Sequence, residues 1–254
     1  MNKEYSVLTY NIGGYEILHE IKEKSDKAEY VYVTDDRTIT SSTWTVVYVD
    51  NTHPEDPFEL CYQIRFNPFD YVNTDLVVRI DGSMGIEKNL DPIVDFFNNG
   101  WDIALCIHPT RANLYDEYVA WVVQRGYPKE QAEKVLNFIQ YFEGYDVKKD
   151  SGLYQYNFMI QRRDKKNLRL NEMTLALMHY LAPEGKEIDR LDQTIGSFVI
   201  NKYFSDMKVM PVDQTLFNGS FFTWYQHGNN NAMNCGGGMR PPILMGNEIT
   251  TITF

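Results

Sequence analysis

The stretch Leu76-Val-Val-Arg-Ile80-Asp81-Gly82-Ser83-Met84 constrains this chain most, because an apolar run stops abruptly at an acid, a glycine and a hydroxyl. Near-continuous Val/Ile/Leu runs mark strands buried on both faces of a parallel sheet, and ligands of such sheets gather at the carboxyl ends of the strands. Asp81 falls at such an end, where an ionised carboxylate can hold a ribose hydroxyl or a divalent cation that bridges to phosphates. The other reading of Asp81 is a turn acid that accepts hydrogen bonds from loop amides.

The same pattern recurs along the first 110 residues. Tyr5-Ser-Val-Leu-Thr9-Tyr10 reads as a strand running into Asn11-Ile-Gly13-Gly14-Tyr15, followed by a helix with Ile17, Leu18 and Ile21 at helical spacing. Strand, glycine turn and helix begin a nucleotide-binding α/β unit, and a simple tight turn is the alternative. A second strand over 28–34 ends in Asp35-Asp36, and a third covers 44–49. Acids directly after a strand suit ribose hydroxyls or the edge of a base, and a solvated turn explains them as well. Asp56-Pro57 and Asp91-Pro92 each read as an Asp cap with Pro at the first helical position. The first of these helices ends near Arg65 and Asn67, where a guanidinium fork either pairs with a diphosphate or is ordinary surface charge. A strand over 101–107 then delivers His108-Pro-Thr-Arg111.

Strands separated by helices or short connections predict a doubly wound α/β fold with the ends at Asn11, Asp35, Asp81 and His108 along one edge. That edge, with Thr9, Tyr10, Asn11, Gly13, Tyr15, Asp35 and Asp81, is the expected seat of a nucleotide. Beyond residue 110 the pattern turns helical, with helices expected over 115–124, 129–142, 170–181 and 188–204. Strands are expected over 153–160, near Lys208 and over 221–225, ahead of a Gly/Asn-rich tail. No repeat or linker divides the chain, so residues 1–254 are read as one domain, with 1–110 as its nucleotide half and 111–254 as its sugar and acceptor half.

Charge narrows the function classes. A formal net charge of −11 argues against nucleic acid as a partner, since phosphate backbones are bound chiefly by Lys and Arg. Cys61, Cys106 and Cys235 are widely spaced and odd in number, as reduced thiols are and disulfide or zinc frames are not. No signal-peptide pattern opens the chain and no apolar run nears the roughly 20 residues that span a bilayer. The expectation is a cytoplasmic protein, free or at the inner face of the membrane.

Ile80-Asp-Gly-Ser83, His108-Pro-Thr-Arg111 with Tyr115-Asp-Glu-Tyr118, Gly152-Leu153 and Arg190-Leu-Asp-Gln193 occur in that order. The set resembles the glycosyltransferases of the plant mucilage-polysaccharide type and their bacterial relatives, formerly grouped as a domain of unknown function. It is similar, more distantly, to the glycosyltransferases that carry Asp-x-Asp on a GT-A fold. The resemblance runs from about Thr9 to His227. It implies a GT-A-like mixed sheet with a mostly helical second half and a nucleoside diphosphate sugar as donor, most simply UDP-linked. A glycan or polysaccharide would be the acceptor. Asp81 stands where the first acid of Asp-x-Asp would be, and Ser83 where the second, usually firmer, cation ligand would be. Asp192 and Gln193 match the Asp-Gln pair that reaches the transferred sugar. His227 matches a late histidine that completes a metal site for Mn²⁺ or Mg²⁺ together with Asp81. His108 and Arg111 join Asp192 and Gln193 as catalytic candidates.

The chemistry suits these parts. A departing diphosphate needs cationic or amide stabilisation, which Arg65 or Arg111 can give, and the sugar needs groups that orient it as charge develops at the anomeric carbon. Asp192 or Glu117 can serve as the base an inverting reaction requires. Two alternatives stay open. One is a non-catalytic nucleotide-sugar or carbohydrate-binding member of the fold. The other is a hydrolase using His108, against which stands the lack of a Gly-x-Ser-x-Gly nucleophile context.

Overall fold

The structure, a computed structural model, describes residues 2–52, 54, 57–124, 126–149, 152–182, 191–213, 216 and 220–227. The strands are β1 (Tyr5–Asn11), β2 (Ala28–Thr34), β3 (Thr45–Tyr48), β4 (Leu76–Ile80), β5 (Met84–Ile86), β6 (Ile103–Ile107), β7 (Tyr154–Arg162), β8 (Val209–Val212) and β9 (Phe222–Trp224). The helices are α1 (Pro57–Phe66), α2 (Asp91–Phe97), α3 (Leu114–Val119), α4 (Lys129–Asn137), α5 (Lys165–Leu181) and α6 (Leu191–Tyr203). α3 and α4 each continue into a π-helical turn, Ala120–Gln124 and Phe138–Phe142.

Seven strands form one sheet in the order β3-β2-β1-β4-β7-β6-β8, and β5 pairs with β9 in a separate ribbon. β7 is antiparallel to both of its neighbours, and the other pairs in the sheet are parallel. The carboxyl ends of β1, β2, β4 and β6 therefore share one edge, as the sequence predicts for Asn11, Asp35, Asp81 and His108. β7 and β8, from beyond residue 110, complete the same sheet.

Side chains alternate across it with period two. Tyr5, Val7, Tyr30, Tyr32, Val78 and Ile80 face a core shared with Ile93, Val94 and Phe97 of α2 and with the β5–β9 ribbon. Leu8, Tyr10, Val31, Val33 and Val77 face the other side, against Ile64 of α1. On that side, towards β6, the core of Ile103, Leu105 and Met159 is closed by α5 and α6. α6 is buried continuously from Leu191 to Ile200. Burying side chains such as Ile195, Phe198 and Val199 contributes roughly 1.5–3 kcal/mol each, which anchors the helix that carries Asp192.

Two local expectations are corrected. Residues 12–27 form no helix. The Asn11 amide brackets Glu16, donating to its carbonyl at 2.6 Å and accepting from its N–H at 3.0 Å. The His19 carbonyl accepts from Trp44 Nε1 at 2.9 Å, and the Ile21 N–H donates to Thr43 Oγ1 at 3.0 Å. Backbone groups that a helix would pair internally are thus bound to the neighbouring loop. Leu18 and Ile21 still reach the core, from irregular chain. Asp91 is the first residue of α2 and Leu90 is its cap; the Asp91 carboxylate instead accepts from Tyr5 Oη at 2.8 Å and Ser25 Oγ at 2.6 Å, tying α2 to β1. The expected cap at Asp56, the motif residue Arg190, Cys235 and the Gly/Asn-rich stretch from Gly228 lie outside the described residues.

Candidate active site

Chain order reverses in the sheet between β1 and β4: β2 and β3 lie to one side of β1, and β4 begins the other. Open α/β sheets bind ligands in the crevice outside the carboxyl ends at such a switch point. Asp81 follows β4 there, beside the end of β1. Gly82 lets the chain turn closely, since a Cβ on it would come within 2.7 Å of the Tyr10 carbonyl oxygen.

Arg65 is the hub of this crevice. It sits in the last turn of α1, whose packing on β1 aims the guanidinium at the sheet edge. Its Nε donates to Tyr10 Oη at 2.7 Å and its Nη2 to Asp81 Oδ1 at 3.1 Å, while Nη1 makes a short charged hydrogen bond to Asp192 Oδ2. Three elements distant in sequence thereby meet on one planar fork, the geometry in which arginine outperforms lysine. Asp192, in the first turn of α6, is only 2% exposed. Its carboxylate lies in the first turn of the helix and meets its guanidinium partner there. Behind Asp81 lies Arg79, fully buried, with Nη1 3.7 Å from Asp81 Oδ1 and Nη2 donating to the Tyr156 carbonyl. Burial opposes the charge on both arginines. For Arg65 the neighbouring Tyr10, Asp192 and Asp81 outweigh burial and raise its pKa, whereas burial and the nearby Arg65 charge lower that of Arg79. Burial likewise raises the Tyr10 and Tyr156 hydroxyls, so both phenols stay protonated.

Around this ion group several buried polar atoms have no hydrogen-bond partner: Nε and Nη1 of Arg79, the Tyr156 hydroxyl, both amide atoms of Asn157, Asp192 Oδ1, Gln193 Oε1 and Thr194 Oγ1. Unsatisfied buried groups cost roughly 1–3 kcal/mol each and are uncommon in native interiors. They lie on β4, on β7 and at the start of α6, beside the carboxylates of the switch point.

The other expected residues divide. Asp35 receives the Gly13 N–H at 3.0 and 3.1 Å and the Asn51 amide at 3.1 Å, so it ties the turn after β1 to the ends of β2 and β3. Gly13 has a φ of 72°, which favours glycine. Thr9 faces away from Tyr10 and Arg65 by strand alternation, with its hydroxyl unpartnered. Tyr15 is exposed, its ring centroid 5.1 Å from that of His227, and His227 Nδ1 meets Glu16 at 2.5 Å. Ser83 is buried and its hydroxyl accepts from Trp224 Nε1 at 3.1 Å, fastening β9 to β5. Asn67 bonds Gln63 in the stripe with Glu59, away from the direction of Arg65. His108 Nδ1 accepts the N–H groups of Thr110 and Arg111 at 3.3 and 3.1 Å, holding its own turn. Arg111 pairs with Glu117, which is fully buried and also accepts from Trp121 Nε1 at 3.0 Å. Both Glu117 oxygens are thus engaged.

Among the described residues no three His, Cys, Asp or Glu side chains are grouped to hold a cation. Asp81 faces two guanidinium groups, Ser83 is bonded to Trp224 and His227 to Glu16. Asp81 and His227 are the residues that would hold the divalent cation the sequence resemblance implies, and Glu16, which meets His227, lies against Gly82 beside Asp81. Positive charge beside Asp81 comes from Arg65 and Arg79.

Arg79, Tyr156 and Asn157 are additions that sequence reasoning passed over. The signal for Arg79 was present, because an arginine inside an apolar strand is rarely fully buried without a purpose. A separate cavity of about 430 Å³, lined by Lys134, Asn137, Phe138, Tyr141, Phe142, Tyr180 and Leu181, contains none of the crevice residues. No helix among the described residues is long and apolar enough to cross a membrane. No protein-family model and no curated protein matches this sequence.

Proposed function

We propose that this protein is a GT-A-like glycosyltransferase that moves a sugar from a nucleoside diphosphate sugar, most simply UDP-linked, to a glycan or polysaccharide acceptor. The observation that carries the reading is the bridge of Arg65 between Asp81 and Asp192 at the β1–β4 switch point. A diphosphate is a good partner for a planar guanidinium already fixed at a strand edge, and Arg65 can exchange a carboxylate for phosphate oxygens without losing charge pairing. The mixed sheet and the acid at the end of β4 are consistent with a GT-A arrangement.

In this reading the β1 turn and Asp81 seat the nucleoside, and Arg65 neutralises charge on the departing diphosphate. When Arg65 turns to phosphate, Asp192 is released to face the sugar. There it orients the ring or takes the acceptor proton, while Gln193 bonds a hydroxyl. The ordering of Asp192 by a helix buried from Leu191 to Ile200 makes this preorganised, the condition under which such groups lower a barrier. No step is assigned to a metal.

The test is turnover. UDP release from a panel of UDP-sugars, with and without oligosaccharide acceptors, is expected to show one productive donor and to fall sharply in Asp192→Asn. Donor binding with neither transfer nor hydrolysis identifies a sugar-nucleotide-binding protein instead. That second reading is favoured by the engagement of both carboxylates with Arg65.

A further inference from the structure

We propose that Asn157 is a specificity-determining residue that reads the hydroxyls of a neutral hexose bound beside Asp81 and Asp192, an inference that rests on the sugar-nucleotide reading of the site.

Three independent features converge on it. The first is backbone geometry. β6 pairs with β7 through Leu105↔Met159 and then Cys106↔Gln155, so Tyr156, Asn157 and Phe158 bulge from the ladder. Bulges beside functional sites re-aim side chains that a regular strand would leave in the sheet. The second is position. β4 and β7 are in register to Ile80↔Phe158, and the Asp81 N–H then donates to the Asn157 carbonyl at 2.8 Å. Antiparallel register makes Asn157 the cross-strand neighbour of Asp81. The third is valence. Asn157 is 6% exposed, yet neither Oδ1 nor Nδ2 has a hydrogen-bond partner. An amide that only filled space would leave its donor and its acceptor at full desolvation cost.

The unpartnered atoms also define the ligand class. Asp192 Oδ1 and Gln193 Oε1 only accept, Nε and Nη1 of Arg79 only donate, and Tyr156 brings a hydroxyl that can do both. Phosphate or carboxylate groups bring acceptors alone and would leave Asp192 and Gln193 unanswered. A ring carrying several hydroxyls supplies donors to these two and pairs in both senses with the Asn157 amide. The amide has one donor side and one acceptor side at fixed separation, so it distinguishes epimers by which hydroxyl stands where. A site built to bond a hydroxyl rejects an analogue that lacks it, because its own buried groups are then left unpaired.

Calorimetry of parent, Asn157→Ala and Asn157→Asp with UDP, with UDP-hexose epimers and with the free hexoses tests this. The expected result is a preferred UDP-hexose whose affinity falls at least tenfold in Asn157→Ala, about 1.4 kcal/mol, while affinity for UDP stays within about twofold. Asn157→Asp keeps an acceptor but loses the donor, and is expected to shift the epimer preference. Equal loss of UDP and UDP-hexose affinity, or no loss of either, overturns the proposal, as does a variant that differs only in melting temperature. A parent that binds UDP but gains nothing from the hexose overturns the role of Asn157 and leaves the nucleotide reading standing. A parent that binds free hexose through Asn157 but no nucleotide sustains the sugar site and removes the nucleotide reading.

Discussion

The ring of Tyr156 lies across α6 at Gly196, where a Cβ would stand 2.6 Å from Tyr156 Cε2 and closer still to Cζ and the hydroxyl. The glycine thus lets the bulged strand approach the buried helix, and it couples the segment bearing Asn157 to the one bearing Asp192. Gly196→Ala is expected to lower stability by about 1–3 kcal/mol through overpacking. Combining it with Tyr156→Ala should recover part of that loss. Urea denaturation of the double-mutant cycle checks this, and strictly additive effects would contradict the contact.

Asp192→Asn preserves shape while removing a charge that meets Arg65. Turnover is expected to fall by roughly a hundredfold or more, with affinity for free nucleoside diphosphate nearly unchanged, as for a group used in the transition state. Steady-state kinetics alongside calorimetry separates the two quantities. Parental turnover would make Asp192 a structural partner of Arg65 only.

Acid sensitivity should trace to Asp91. Burial opposes its charge, but hydrogen bonds from Ser25, Tyr5 and Asn89 outweigh burial and depress its pKa. A depressed native pKa means stabilisation that is complete above the unfolded value of about 3.9 and fades as pH falls through the native value. Asp91→Asn should therefore destabilise at neutral pH and flatten the decline of the urea midpoint below about pH 4. An unchanged acid limb would assign that decline to other carboxylates.

The cationic partner of the diphosphate is expected to be Arg65. Arg65→Lys retains one charge but cannot serve Tyr10, Asp81 and Asp192 from a rigid fork, so nucleoside diphosphate affinity should fall about tenfold or more. Chelation of divalent cations should alter parental affinity by no more than about twofold, a small effect on this scale. Binding that demands Mn²⁺ and ignores Arg65→Lys would reverse the assignment.

Much of the sheet was legible because its strands are dense in β-branched and aromatic residues. The 28–34 and 76–80 runs are strands over those spans, and α5 and α6 follow their apolar stripes. The helix expected after β1 was illegible for a tertiary reason: Asn11, Thr43 and Trp44 bind the backbone of 16–21, and propensity yields to such bonds. Asp81, Arg65 and Asp192 were each visible as strand-end or helix-end polar residues. Their union was not, since Arg65 and Asp192 are 127 positions apart. Ser83 was read by its spacing from Asp81, while its partner Trp224 comes from a strand 141 positions away. Asn157 left no trace in a strand whose alternation is broken by the bulge itself.

The most direct measurement is isothermal titration of the parent and of Asp81→Ala with UDP, GDP and CDP, each with Mn²⁺ and with chelator. A nucleoside diphosphate site at the β1–β4 switch point requires at least UDP to bind the parent. It also requires Asp81→Ala to weaken that binding at least tenfold, about 1.4 kcal/mol, in a variant that remains folded at the temperature of the titration. Failure of all three nucleotides to bind at millimolar concentration, or equal affinity in the parent and Asp81→Ala, would contradict it.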